Sequence, residues 1–384
     1  MKMKILITTD WYLPVINGVV TSVVNLTKGL TEMGHEVRIL TLSGSLYSYK
    51  KGQAVYIGSI GVGKIYPDAR MRMALAHRYI YELIQWHPDI IHSQCEFSTF
   101  YLARKIAKAS HAPIVHTYHT VYEDYTHYFS PNIYFGKAVA ALFSRKILDK
   151  TEAVIVPSEK IRAMLLTYGI TKPIATIPSG LDLNRFMITF TTAELKKLRS
   201  EYGMKPDQKV LLYIGRLAEE KNIEELFQLL ALWQRKDFVL LLVGDGPYRR
   251  ELEKTAQKMK IGNRVIFTGM VPPAEIAKYY RLGDVFVSAS QSETQGLTYM
   301  EAMVSGLPVV AKADPCLNDI VRDNENGFQY HSFAEFKDRI EQILTEDTLR
   351  HKLGQNAAIS VRERFSVGRF SQDVAALYGK LVNL

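Results

Sequence analysis

Two glutamates, Glu293 and Glu301, have Thr294-Gln295-Gly296-Leu297 between them at the start of an apolar-periodic run. Leu297, Met300 and Val304, with Ala302, give that run a helical spacing that stops at Gly306 and Pro308. Before it, Val285-Phe286-Val287-Ser288-Ala289 reads as a buried strand. A strand, a polar loop and a helix in that order aim the helix's first backbone N–H groups beyond the carboxyl edge of a sheet, a place that attracts phosphate. At 1.5 Å per residue the two carboxylates lie on the order of 10 Å apart. Carboxylates accept paired hydrogen bonds from vicinal hydroxyls, so this set suits an anion flanked by two polyhydroxylated rings. By itself the stretch equally admits Glu293 as a helix cap and Glu301 as an ordinary helix-face charge.

Further residues add cations to the same chemistry. Val210-Leu211-Leu212-Tyr213-Ile214 is a second buried-strand pattern and runs into Gly215-Arg216-Leu217-Ala218-Glu219-Glu220-Lys221. Gly215 permits close backbone approach, while Arg216 and Lys221 bring two cations that match a diphosphate. The two glutamates with seven residues between them, the strand-Gly-Arg step and Lys221 together resemble the retaining glycosyltransferases of family four. That resemblance implies an α/β GT-B architecture: two Rossmann-like, doubly wound parallel-sheet domains facing across a cleft, with a nucleotide-sugar as substrate.

The same resemblance implies roles for individual residues. His119, Arg216, Lys221 and Glu293 are the expected catalytic set. Arg216, Lys221 and the amides near Gly296 would take the diphosphate, Glu301 the ribose, and Glu293 with His119 the hexose. Gly18, Gly215, Val271, Thr294, Gln295 and Leu297 complete the expected donor-binding residues, with Thr268 to Pro272 beside the base. No Asp-x-Asp and no His/Cys cluster with metal-ligand spacing occurs. No metal or cofactor is therefore expected; Mg2+ is compatible with the reading but not implied by it.

The elements that must position these groups follow from the chain as a whole. Its 384 residues exceed one ordinary core, so two domains are expected. With 47% hydrophobic and 23% charged residues it is globular. No run of about 18 uncharged apolar residues is present, and Met1-Lys2-Met3-Lys4 leads straight into a strand pattern, which predicts a cytoplasmic protein. Cys95 and Cys316 form no CxxC and read as reduced packing thiols. Residues 1–183 hold 20 Lys+Arg against 13 Asp+Glu, so most of the net +9 lies in the first half. A basic first domain suits an anionic membrane surface, or reflects simple solubility charge. No RNA-binding signature or helix-turn-helix pattern points to nucleic acid.

In the first half, strand patterns at Lys4 to Thr8, Val37 to Leu42, Ala54 to Gly58, Ile90-Ile91, Ile114-Val115 and Ala153 to Val156 alternate with helical ones. The expected helices are Val19 to Gly34, Met71 to Gln85, Thr99 to Ala109, Gly136 to Lys150 and Glu159 to Tyr168. Alternation of this kind argues a parallel, doubly wound sheet whose strand ends carry function. Two ends are rich: His92-Ser93-Gln94-Cys95-Glu96, and His116 through Glu123 with His119 inside it. Asn17-Gly18 opens the first helix without any GxGxxG spacing, and carries one glycine where many family members carry two. Asp10, Tyr122 and Glu123 are acceptor candidates; Asp10 and Glu123 could orient an acceptor hydroxyl or cap a turn. The aromatics from Tyr118 to Phe135 read as an acceptor slot, a bilayer anchor or local core. Stretches Arg70 to Trp86 and Lys137 to Lys150 mix cations with apolar residues, as helices lying on anionic lipid do.

A polar stretch from Asn184 to Gly203 places the hinge, which gives domains 1–183 and 206–366. In the GT-B fold a terminal helix, here 367–384, returns to the first domain. In the second, Gly244-Asp245-Gly246-Pro247 reads as a turn suited to close ligand approach. Within the family, the stretches Ile16 to Thr21, Tyr118 to Glu123 and Ser292 to Leu297 look most like bacterial diacylglycerol glucosyltransferases. The implied activity is retaining transfer of a hexose, glucose from UDP-glucose, to a membrane lipid such as diacylglycerol, on the inner face of the cell membrane. The competing classes are a same-fold enzyme with a soluble or polysaccharide acceptor, and a non-catalytic sugar-nucleotide or membrane binder.

Overall fold

A computed structural model of the chain describes residues 2–15, 17–61, 70–72, 77–121, 133–233, 235 and 237–382. It contains two compact units, Met1–Gly180 with Val367–Leu384, and Leu181–Ser366.

The first unit is built on β1 (Lys4–Thr8), β2 (Glu36–Leu42), β3 (Tyr49–Lys51), β4 (Ala54–Ile57), β7 (Ile90–Ser93), β8 (Ile114–Thr117), β9 (Ala153–Val156) and β10 (Ile174–Thr176). They lie in the order β10-β9-β8-β7-β1-β2-β4-β3, parallel throughout except for the β3–β4 pair. The runs AVIV of β9 and ILIT of β1 are buried on both faces, as a parallel sheet covered by helices requires. Ile5 and Ile7 meet α1 (Gly18–Glu32) and the last helix, α13 (Val367–Val382), through Val23, Leu26, Phe370 and Val374. Leu6 faces the opposite side, toward α2 (Arg78–Gln85) and α3 (Ser98–Ser110). Helices α4 (Ile133–Leu148) and α5 (Glu159–Thr167) complete the alternation. Chain order runs outward from β1 in one direction and from β7 in the other, so β1/β7 is the switch point of the sheet.

A continuous helix from Met71 to Gln85 does not form. Arg70–Arg72 is instead strand β6, antiparallel to β5 (Ser59–Gly61), and the helix starts only at Arg78. The reason is local: Arg70 donates to the carbonyls of Ser43, Gly44 and Ser59 and to Ser59 Oγ, contacts that an extended segment beside β5 provides. Its charge is therefore committed within the unit. Tyr118 belongs to the core, fully buried, with its hydroxyl 2.8 Å from Ser144 Oγ. Most of the aromatic run that follows it lies outside the described residues.

The second unit carries α6 (Thr192–Glu201), β11 (Lys209–Ile214), α7 (Ile223–Leu232), β12 (Phe238–Val243), α8 (Arg249–Lys258), β13 (Val265–Gly269), α9 (Ile276–Tyr280), β14 (Val285–Ser288), α10 (Leu297–Val304), β15 (Val309–Lys312), β16 (Gly327–Tyr330), α11 (Phe333–Thr345) and α12 (Asp347–Arg364). Its sheet is entirely parallel, ordered β13-β12-β11-β14-β15-β16, with the switch point at β11/β14. Alternate residues of β11 serve two cores: Leu212 and Ile214 pack under α10 and α12, while Leu211 and Tyr213 pack under α7 and α11. Residues 184–203, expected to form the hinge, pack with this unit: Leu183, Leu195 and Leu198 lie against its core, and a Thr191–Glu194 capping box starts α6.

Candidate active site

In the second unit the functional side chains stand on both sides of its switch point. The loop after β11 carries Arg216 and Lys221, and the loop after β14 carries Glu293 and leads into α10. Lys221 Nζ donates to Glu293 Oε1 at 2.6 Å, both side chains under one-fifth exposed. Ser292 Oγ donates to the Glu220 carbonyl at 3.0 Å, so a second contact ties the same loops. Arg216, closer to solvent, pairs with Glu220. Each cation thus rests on a neighbouring carboxylate.

Gly296 starts α10 in the left-handed region, φ +79°, where side chains are disfavoured. A Cβ there would come within 2.7 Å of Tyr299 Cδ2. No side chain caps α10, and no acidic residue occupies its first turn. Its N-terminal end thus keeps the partial positive charge that anions seek. Glu301 follows on the same helix, partly buried, accepting a 2.7 Å hydrogen bond from the Tyr280 hydroxyl. Burial pushes its carboxyl up to about 7, while the Tyr280 hydrogen bond and Arg185 pull the other way. Val271 and Gln295 are buried; the Gln295 amide lies 3.9 Å from Met300 Sδ, so its side chain points into the unit.

The Gly244 to Pro247 turn does different work from that expected. Cβ atoms at Gly244 and Gly246 would fall 2.0 Å from the Gly215 carbonyl oxygen and 2.2 Å from that of Leu217. The glycines therefore admit the close approach of the 215–217 backbone. Hydrogen bonds from Leu217 N to Asp245 O at 3.0 Å and from Tyr248 N to Leu217 O at 3.1 Å complete the brace. The turn after β12 thereby fixes the loop that carries Arg216.

In the first unit a buried polar cluster occupies the ends of β1, β7 and β8. Asp10 accepts from Ser98 N at 3.1 Å, Thr99 N at 2.7 Å and Thr99 Oγ1 at 2.6 Å, capping α3 from the loop after β1. Of the two roles open to Asp10, its three hydrogen bonds are those of a cap. Burial raises its carboxyl to about 6. His116 Nε2 and Glu96 Oε1 lie 3.2 Å apart in the interior, and His119 Nε2 is 2.7 Å from Gln94 Oε1. Burial pushes the His119 pKa down to about 4, against the opposing field of Glu96. Gly18 is the first residue of α1, which Asn17 caps by accepting from Val20 N at 2.9 Å. Tyr122 and Glu123 lie outside the described residues.

Several partners escaped the sequence reading. Tyr280, Gln94 and Glu220 each hold a predicted site residue, and only Gln94 stood in a stretch already marked as rich. A polar residue at a strand's carboxyl end is the signal for Gln94; nothing in the spacing signals Tyr280, which lies 21 positions from Glu301.

Comparison with known proteins gives a consistent result. Residues 195–359 match the family model "Glycosyl transferases group 1", and residues 16–185 match "Glycosyltransferase Family 4". The chain is similar to the alpha-monoglucosyldiacylglycerol synthase of Streptococcus pneumoniae, 37% identical over 92% of this chain and 81% of that protein. It is also similar to the synthase of the same name from Acholeplasma laidlawii, 30% identical over 99% of this chain and 98% of that protein. Among solved structures, Anabaena Alr3699/HepE in complex with UDP and glucose aligns with a TM-score of 0.76 at 19% identity, over 99% of this chain and 100% of that one.

Proposed function

The chain belongs to the family 4 glycosyltransferases and is a hexosyltransferase of the GT-B fold; from that premise we propose that it moves glucose from UDP-glucose to diacylglycerol with retention of anomeric configuration. What carries the reading is the likeness, over most of both lengths, to two proteins named alpha-monoglucosyldiacylglycerol synthase. The geometry of the second unit supports it. Two cations, two carboxylates and an uncapped helix start gather at one switch point, the place where α/β sheets bind ligands.

In this reading the diphosphate takes Arg216, Lys221 and the first amides of α10. Lys221 leaves Glu293 as it does so, and Glu293 turns to the hexose hydroxyls. Glu301 accepts from the ribose hydroxyls, and His119 is assigned to the transferred sugar through its neutral imidazole. As the bond between the anomeric carbon and the phosphate oxygen breaks, negative charge grows on the leaving phosphate. Fixed cations and amides stabilise that charge more than the ground state, which is where the acceleration arises. The acceptor oxygen bonds to the anomeric carbon on the face the phosphate leaves, and its proton passes to that phosphate.

A lipid acceptor is supported by α4 as well. Phe135, Val139 and Leu142 are 62%, 48% and 61% exposed, spaced to share one helix face, and Lys137, Arg145 and Lys146 lie on the same helix. Among the described residues no helix is long and apolar enough to cross a membrane. A peripheral attachment to an anionic bilayer surface fits both facts.

The test is transfer from a panel of labelled nucleotide-sugars to vesicles holding diacylglycerol, its monoglucosylated form, or neither. Labelled monoglucosyl lipid from UDP-glucose is the expected product. Transfer only to soluble sugars or polysaccharide, or binding of sugar-nucleotide without any transfer, overturns the reading.

A further inference from the structure

The end of β7 holds a glutamine that the mechanism above leaves unused. Gln94 is 2% exposed, and its backbone N–H donates to the Thr8 carbonyl at 2.8 Å, which seats it at the β1/β7 switch point. Its side-chain Oε1 lies 2.7 Å from His119 Nε2. Its own Nε2 is buried without a hydrogen-bond partner among the described residues. Ordering a buried amide in this way costs the desolvation of that N–H2, so the contact retained by Oε1 carries the side chain's whole polar gain.

A neutral imidazole has one ring proton, and the partner of one nitrogen decides where it sits. A carbonyl oxygen can only accept. Facing Nε2, it draws the proton there and leaves the lone pair on Nδ1. Three other titratable groups act on the ring: Glu96 favours its cationic form, His116 opposes it, and buried His92 feels its charge in turn. None of them substitutes for an acceptor at Nε2, because His116 Nε2 is itself engaged with Glu96 and His92 with Thr117 and Tyr378.

We propose that Gln94 is a positioning residue for sugar transfer: its side-chain carbonyl locks His119 in the tautomer protonated at Nε2, so that Nδ1 serves as hydrogen-bond acceptor for a hydroxyl of the transferred sugar. The second half rests on the assignment of His119 to the sugar made above; the tautomer does not.

Ring-15N histidine labelling of the full-length protein reads the tautomer directly, with the His119 signals identified by their loss in His119→Ala. Between pH 6 and 9, His119 Nε2 is expected to show the shift of a protonated ring nitrogen and Nδ1 that of a bare one. The reverse pattern overturns the proposal. Gln94→Met keeps the length but removes the acceptor oxygen; mixed tautomers and a kcat lowered about tenfold, with the sugar-donor KM within about twofold, are expected. An unchanged tautomer or an unchanged kcat in that variant also overturns it. Gln94→Glu restores an acceptor at Nε2 and places a negative charge beside the ring. Its His119 must keep the Nε2–H form and titrate at higher pH than in the parent protein. Its kcat must fall as pH drops through that new value, while the parent stays flat from pH 6 to 8. A Gln94→Glu profile that matches the parent's counts against the lock. If His119→Ala transfers sugar at the full rate while the spectra show Nε2–H, the lock stands and the acceptor role of Nδ1 fails.

Discussion

Lys221 and Glu293, 2.6 Å apart, neutralise one another; in the proposed reading a diphosphate competes for the ammonium. Removing either cation should therefore act on the step in which charge develops. Lys221→Ala and Arg216→Ala are each expected to lower kcat about 10²-fold in a sugar-transfer assay, as loss of a transition-state charge contact does. Full activity in both variants would remove the diphosphate role. Glu301 adds a pH dependence of defined sign. Its folded carboxyl pKa, about 7 against an ordinary 4.5, means the folded protein holds a proton that the unfolded chain releases. The linked stability is complete below about pH 4.5 and is lost as pH rises through 7. Thermal melting should show a decline from pH 5 to pH 8 that is shallower in Glu301→Gln, with Asp10 contributing the same trend in both proteins. Under the proposed assignment of Glu301 to the ribose hydroxyls, which bind best to an ionised carboxylate, the sugar-donor KM should fall over the same interval and stay flat in Glu301→Gln. Residue types, spacing and the family resemblance singled out Lys221, Glu293 and Glu301 as candidates before any coordinates. The partner of Glu301 was not legible, since Tyr280 reaches it through packing of α9 against α10 that no local pattern encodes.

Among the elements, α10 depends on one backbone angle. Gly296→Ala forces a Cβ into the left-handed region and against Tyr299, a strain of about 1–3 kcal/mol. The variant should melt earlier and bind UDP more weakly, because relief of the clash re-aims the first amides of the helix. Calorimetric titration with UDP checks this; unchanged affinity would separate α10 from the phosphate. Helix α4 gives the complementary prediction. Replacing Phe135, Val139 and Leu142 together by serine should abolish flotation with anionic vesicles while leaving UDP affinity intact, and continued flotation would point to another face. Strands were the more legible elements, because short apolar runs such as AVIV and FVLLLV, buried throughout, leave few alternatives. The helix expected from Met71 failed because an arginine with four hydrogen bonds to β5 and the 43–44 loop outweighs apolar periodicity over a short window. The Gly244 to Pro247 turn was read as suited to close ligand approach; the group that its glycines meet is the 215–217 backbone, which spacing could not show.

At the scale of the molecule, two doubly wound sheets were legible from the alternation of strand and helix patterns, and the resemblance supplied the GT-B architecture. The assignment of residues 181–205 was not, because a polar helix with one apolar edge reads the same whether it links two units or packs on one of them. The first unit draws its core from both halves of the numbering: Phe370, Val374 and Tyr378 of α13 lie with Ile5, Ile7, Val23 and Leu26. The Tyr378 hydroxyl also stands 2.6 Å from buried His92 Nδ1. A stop codon after Ser366 should therefore leave an apolar face uncovered and Nδ1 of buried His92 without its Tyr378 partner, giving insoluble protein; soluble, active material would show that α13 is dispensable. Tyr378→Phe removes only the hydroxyl and should cost about 1–2 kcal/mol by denaturant titration. During synthesis the same arrangement imposes an order. A ribosome emits the segment before Gly180 first, yet that segment waits through some 186 further codons, residues 181–366, for the helix that seals it. At roughly 5–20 residues per second this is an interval on the order of ten seconds or more. The domain translated second is complete before the one translated first, and the nascent amino-terminal sheet is the stage at which chaperones have something to hold.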